Sequence, residues 1–490
     1  MSLKKQALSG MVWSAIQTFG NQIIGFGVSV ILARLLLPAE FGLIGMIGIF
    51  MGISSVLISS GLGASLIRTD KPTQADYSTV FVFNLVGSIV LYIIMFFAAP
   101  FIADFFKQPV LTSITRWYCL IFVINAFSAI QITHLHKHLD FKTETKASLT
   151  STVASAIVGV SLAYNGFGVM SLVWMAIAGA IVNNVMLWGQ SGWQPSLIFD
   201  KEKFRYHFGF GSRMMVSGIL DILFTNAYTL IIGKWYSPAQ LGYYNRADSL
   251  KQLPVSNFSG ILNKVTYPLF AEIKDDNVRL KSVYKQIMKM VIFVIAPILM
   301  LMGVLAEPLF RFLFTEKWLP AVPYFQILCL SGVLYPLHSY NLNILSVKGR
   351  SDLFLRLEVI KKILLVIVIG ASLPFGIYGL MWGRVISSFL AFFINTYYSG
   401  KFLDYTSWEQ LRDILPTFLL TTGMGAVVWA VDWEVGNLPD LLRLVIAATV
   451  GILFFLIFAR LFKFDSGKTV AELINKKLKF SIPFKFNPFS

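Results

Sequence analysis

Charged and amide side chains lie where the sequence is otherwise apolar, and they are the residues that could do chemistry. Arg246 and Lys264 are 18 residues apart, five full turns of a helix, so they share a face. Ser249, Asn257 and Gly260 fall near the same line. Asp248 and Lys251, three apart, can pair with each other. Arg384 stands near the middle of an apolar run over 375–399, and Asp221 is the most isolated acid of the run over 212–233, between Ser217 and Asn226. Gln17, Asn21 and Gln22 mark the first apolar run, and His338, Asn341 and Asn343 a later one. Ionisable groups in such surroundings are costly and are default candidates for a transport pathway. Arg246, Lys251, Lys264 and Arg384 could hold a diphosphate, the arginines through their planar fork. Asn257, Asn21 and Gln17 could meet sugar hydroxyls, and Asp221 could carry a coupling proton or sodium ion. The competing reading is structural: Arg246 pairs with Asp221 or Asp248 to lock helices, and the amides satisfy backbone between spans.

Other chemistries find no support in the spacing. Cys119 and Cys329 both sit in apolar runs and form neither a disulfide framework nor a metal site. His134, His136 and His138 lack zinc-type spacing and read as solvated residues of a basic loop. Gly25-Phe26-Gly27 and Gly209-Phe210-Gly211 follow no strand and precede no phosphate-loop lysine; they read as close helix contacts. No nucleophile–base pair emerges, so the expectation is a non-enzyme without cofactor or metal.

The elements that must position these groups follow from composition. Of 490 residues, 56% are hydrophobic and 13% charged, about half the usual charged share of soluble proteins, and mean hydropathy is +0.69. Soluble and disordered classes are excluded; an all-α polytopic membrane protein remains. About fourteen runs are long enough to span: 9–36, 40–62, 77–103, 111–133, 146–164, 167–189, 212–233, 240–270, 285–305, 320–346, 354–373, 375–399, 413–431 and 439–462. The eighth is the least apolar. The first is too long for a signal-peptide core and reads as a span. With the N-terminus inside and the loops alternating, 30 of the 41 basic residues fall on the inner side. Both termini are then cytoplasmic, and the net charge of +16 reflects loop bias rather than nucleic-acid binding. Residues 464–490 read as a basic cytoplasmic tail, either drawn to anionic lipid or solvated.

An internal repeat organises the spans. Pro38-Ala39-Glu40-Phe41-Gly42 aligns with Pro238-Ala239-Gln240-Leu241-Gly242, with Arg34 over Lys234 upstream. Phe167-Gly168-Val169, Leu172 and Trp174 align with Phe375-Gly376-Ile377, Leu380 and Trp382. The expectation is two six-helix lobes, 1–200 and 201–400, in parallel orientation around a central cavity, followed by two additional helices over 401–463 and the tail.

Several motifs carry a resemblance. They are Ser9-Gly10-Met11-Val12-Trp13-Ser14, Ala33-Arg34 with Pro38 to Gly42, Gly242-Tyr243-Tyr244-Asn245-Arg246-Ala247, Pro268-Leu269-Phe270-Ala271 with Asp275-Asp276, and Leu313-Phe314-Thr315-Glu316-Lys317-Trp318. With them the chain resembles the polysaccharide transporter family, the Wzx-type lipid-linked oligosaccharide flippases of the MOP exporter superfamily. It is most similar there to colanic-acid and teichuronic-acid type exporters. Thr315 departs from the glycine expected at its place. The resemblance implies two six-helix lobes around a cavity in a bacterial inner membrane. It also implies export of polyprenyl-diphosphate-linked repeat units for surface polysaccharides, including lipopolysaccharide, with a polysaccharide polymerase as a possible partner. It brings no agreed set of site residues. A cation-coupled multidrug antiporter of the same superfamily would need an acidic cavity, whereas the stripe here is basic. A membrane polysaccharide polymerase or ligase would need a long outer catalytic loop, and none is visible.

Overall fold

In hydrocarbon every backbone N–H and C=O must be satisfied by the protein itself, and a helix does so within its own segment. The computed structural model describes residues 3–59, 61–196 and 198–467, apart from the side chains at 3–5, 7, 58–59, 210, 213 and 261–265; all of its regular elements are helical. The chain divides into two compact units, Met1–Asn245 and Arg246–Ser490.

The first unit holds α1 (Leu3–Leu35), α2 (Pro38–Ser59), α3 (Leu62–Arg68), α4 (Gln74–Phe106), α5 (Leu111–Tyr118), α6 (Leu120–Lys137), α7 (Phe141–Tyr164), α8 (Val169–Gln190), α9 (Lys201–Thr225) and α10 (Ala227–Trp235). The long helix α11 (Pro238–Glu272) begins in this unit and ends in the second. The second unit continues with α12 (Asn277–Val304), α13 (Ala306–Phe314), α14 (Val322–Val333), α15 (Tyr335–Val347), α16 (Ser351–Ser372), α17 (Gly376–Leu403), α18 (Ser407–Glu434) and α19 (Asp440–Leu461). In it α18 and α19 pack on α12 around Phe293, Met424, Val428 and Phe455.

Among the described residues, eleven helical runs are long and apolar enough to cross a membrane. One, Ser351–Leu403, is the pair α16 and α17, folded back on each other around Gly383, where a side chain would press on Ser372 and Val368. The pair α9–α10 makes a further span, bent by 51° at Asn226. Helix α11 is long enough at 35 residues but fails on polarity, and it runs as helix through Pro254 and Pro268. With these the expected fourteen segments are accounted for.

The unit boundary differs from the lobe boundary expected at 200/201. Helix α9 packs on α2, α3 and α4, so the compact unit extends past the repeat. A buried polar cluster ties it there. His207 bonds Ser65 Oγ (2.8 Å) and Asp76 (3.3 Å), and Lys203 Nζ reaches the other Asp76 oxygen at 2.8 Å. Burial pushes the His207 pKa below its ordinary value, against the pull of Asp76. Of the expected tail, Phe464 stacks on Phe293, and 468–490 lie outside the described residues.

The repeat is visible in the geometry. Helices α1 and α10 end at Leu35 and Trp235, and α2 and α11 start at Pro38 and Pro238. Glu40 caps the backbone N–H of Leu37 (2.7 Å) as Gln240 caps that of Ser237 (3.1 Å). Gly168 and Gly376 both hold positive φ, +55° and +74°, where L side chains are strained. The two PAxxG starts also meet each other. A Cβ on Gly42 would overlap the Pro238 carbonyl oxygen, and one on Gly242 the Pro38 carbonyl oxygen.

Glycine to alanine inside a helix normally stabilises by about 1 kcal/mol. At Gly42 and Gly242 the sign inverts, because the new methyl meets backbone. Gly42→Ala and Gly242→Ala are each expected to lower the Tm of the purified protein by about 2 °C or more. Gly27→Ala, with nothing within 4 Å of its Cβ, leaves Tm level or raises it. Equal behaviour of the three variants would refute the close crossing.

Candidate functional site

Helix α11 carries Arg246, Asp248 and Lys251, and in the second unit these groups separate into two arrangements. Asp248 sits between two cations. Lys251 Nζ reaches its Oδ1 at 2.6 Å and Arg384, from α17, reaches the same oxygen at 3.1 Å. Lys251 is sealed, its side chain 4% exposed, whereas Asp248 and Arg384 keep 24% and 22%. Gly332 of α14 makes room for the lysine stem, since a Cβ there would stand 3.2 Å from Lys251 Cδ. The three side chains, two cations and one carboxylate, sum to a formal charge of +1. An isolated buried charge would be prohibitive, and Asp248 lowers that cost for both cations.

Arg246 belongs to the second arrangement. Its guanidinium carbon lies 5.0 Å from the ring centroids of both Phe314, at the end of α13, and Trp318, in the 3-10 turn Glu316–Ala321. Both rings are fully buried, and Arg246 is 9% exposed. Cation–π contact on desolvated rings is worth about 2 kcal/mol. Arg246 is thus buried among aromatics, while Ser249 and Gly260 of the expected stripe are exposed. At the other end of the stripe, the side chain of Lys264 lies outside the described residues. The Asp248–Lys251 pair is as the spacing predicts; the second partner of Asp248, Arg384, comes from 136 positions along the chain.

The remaining candidates are scattered. Asn257 is half-buried and donates to Leu253 O at 2.8 Å, one turn back. Asn21 of α1 donates to Ser148 Oγ of α7 (2.7 Å) and accepts from Thr152 (2.9 Å). Gln17 reaches Glu144 at 3.4 Å. These two amides join α1 to α7, a structural role, through side chains rather than backbone. Asp221 is exposed on α9, one turn before the bend at Asn226. His338 touches Ser388 and Asn395 of α17, both at 3.3 Å, one and three turns beyond Arg384. Asn341 accepts from Tyr284 of α12 at 2.9 Å.

The histidines correct an expectation. His134 and His136 lie on α6, not in a loop, and His138 caps it. His136 pairs with Glu144 at 2.7 Å. Sequence reasoning also missed the aromatic partners of Arg246, although Phe314 and Trp318 stood inside a quoted motif. Their i, i+4 spacing across Thr315 was the available signal.

These features define a multi-pass helical membrane protein with a cationic cluster on a polar helix. A family model described as polysaccharide biosynthesis protein matches residues 31–323, more than half of the chain, and the chain belongs to that family. It is 26% identical over 471 residues to the teichuronic acid biosynthesis protein TuaB of Bacillus subtilis, covering 93% of this chain and 95% of that one. Over 445 residues it is 26% identical to the lipopolysaccharide biosynthesis protein WzxC of Escherichia coli, covering 87% and 89%. Its fold is similar to that of the lipid II flippase MurJ in an inward closed conformation, with a TM-score of 0.73 at 15% identity over 92% of this chain and 98% of that one.

The backbone at Thr315 shows why glycine is expected there. It holds φ +75°, ψ 173°, a region costly for a β-branched residue, and it sets the turn between Phe314 and Trp318. Thr315→Gly is therefore expected to stabilise the protein by about 1 kcal/mol, read as a higher Tm in detergent. A fall in Tm would refute the strain.

Proposed function

We propose that the chain is a flippase. It moves polyprenyl-diphosphate-linked oligosaccharide units from the cytoplasmic to the outer leaflet for surface polysaccharide biosynthesis, by alternating access. In this reading it sits in a bacterial inner membrane with both termini cytoplasmic, catalyses no bond change, and hands its cargo to polymerase machinery. Support comes from the family, from the names of TuaB and WzxC as biosynthesis proteins of surface glycans and of MurJ as a lipid flippase, and from the basic loop bias. The observation that carries it is the Asp248–Lys251–Arg384 cluster, whose formal charge of +1 and partly open arginine suit an anionic head group.

The exposures divide the labour. Arg384, partly open, is the cation that would turn from Asp248 to a phosphate, its fork matching two phosphate oxygens. Sealed Lys251 would stay to neutralise Asp248. The carboxylate stands in for the phosphate when no cargo is bound, so the cations are never left unpaired and the cargo must compete for them. Affinity then stays moderate and release is possible. Asp221, exposed near the bend of α9–α10, is the candidate for proton or sodium coupling.

A charge-assisted hydrogen bond contributes about 1.5–3 kcal/mol, about tenfold or more in affinity. Arg384→Gln is therefore expected to slow translocation of a fluorescent polyprenyl-diphosphate oligosaccharide in proteoliposomes about tenfold. Asp248→Asn is expected to tighten binding of the head group and slow turnover. Unchanged transport in Arg384→Gln would move the anion site elsewhere. Absence of transport by the unmodified protein with any imposed ion gradient would count against the flippase itself.

A further inference from the structure

Away from the cluster on α11, the first unit has a cavity of about 430 Å³ where α4 and α6 meet the segment after α8. Its polar lining is basic. Lys71 is exposed and forms no hydrogen bond or ion pair among the described residues. Lys137 spends two donors on the Ile67 and Thr69 carbonyls, at 2.8 and 2.5 Å, and keeps a third. His134 and His138 stack at 4.3 Å between centroids. The Nδ1 of His134 is buried with no hydrogen-bond partner among the described residues, a cost that a bound group could remove. Asp70, exposed, is the single carboxylate of the lining.

The other wall is aromatic and continues out of the cavity. Tyr77 and Trp193 line it, 5.9 Å apart. From Trp193 the ring contacts pass to Phe81 (5.9 Å), and from Phe81 to Trp188 (6.4 Å) and Phe127 (6.1 Å). Trp188 and Phe127 belong to membrane-crossing helices and are 38% and 37% exposed. A basic pocket is thus joined through buried rings to two exposed aromatic side chains, Trp188 and Phe127, on the apolar helices. A free anion would use the pocket alone; an amphiphile with a phosphate head would use both.

We propose that this cavity is a binding site for an anionic phospholipid, its phosphate among Lys71, Lys137 and His138 and its acyl chain along Trp188 and Phe127. Basic pockets between helices on the lysine-rich side suit such head groups. The site is separate from the α11 cluster and does not depend on the flippase reading.

The test uses the full chain in detergent, with thermal unfolding followed as phosphatidylglycerol, phosphatidylethanolamine or inorganic phosphate is added. Phosphatidylglycerol is expected to raise Tm, and the other two are not. A lysine charge removed should cost about 1 kcal/mol, about fivefold in apparent affinity, so Lys71→Gln shifts the phosphatidylglycerol midpoint about fivefold, and His138→Gln, which removes a ring nitrogen, weakens binding as well. Lys71→Gln, at an exposed side chain without partners among the described residues, keeps the test valid should His138→Gln lower the lipid-free Tm. Trp188→Ala weakens phosphatidylglycerol as well. An equal response to inorganic phosphate would overturn the amphiphile in favour of a soluble anion. Lack of a shift with phosphatidylglycerol, or a midpoint unmoved by Lys71→Gln, would overturn the site.

Discussion

A charge carried into a helix bundle must find its opposite, and Asp248 is where this protein meets that requirement. Without its carboxylate, Lys251 and Arg384 would be two cations in apolar surroundings, one of them sealed from water. With it they stand side by side, a trio of formal charge +1 that includes one partly open arginine. In the proposed reading, the same pairing that makes α11 tolerable inside the bundle would offer Arg384 to an anion.

That arrangement asks for a helix too polar to be a membrane span on its own account. Helix α11 meets the demand by being held along its length. Its first turn is pinned by the crossing of two glycine-bearing repeats, Pro38 over Gly242 and Pro238 over Gly42. A few residues on, Arg246 is clasped between Phe314 and Trp318, and then Lys251 lies against Gly332. Tertiary contacts, not hydropathy, keep this helix in place, as expected when intrinsic preference is weak. The strained Thr315 is a local cost of holding the aromatic clasp.

Polar residues elsewhere join helices. Asn21 and Gln17 tie α1 to α7, Asn341 ties α15 to α12, and His207 with Asp76 ties α9 to the start of α4. Amides and hydroxyls in spans have two uses, binding and bracing. Residue type does not separate them; only the neighbour does.

The sequence by itself determined the class, because 56% hydrophobic residues in long runs leave helices as the way to satisfy the backbone in lipid. It also determined the repeat, since capping and positive-φ positions are local demands that Glu40, Gln240, Gly168 and Gly376 answer within a few residues. The pairing of Asp248 with Lys251 was legible for the same reason, being one turn of one helix. Only the tertiary structure decided that Arg384 completes the cluster, that Arg246 faces two rings, that α9 packs with the first unit and that His134 borders a cavity. Each of these depends on which helix faces which. Helical periodicity fixes a residue's face, whereas the group opposite that face is set by packing between segments far apart in the chain.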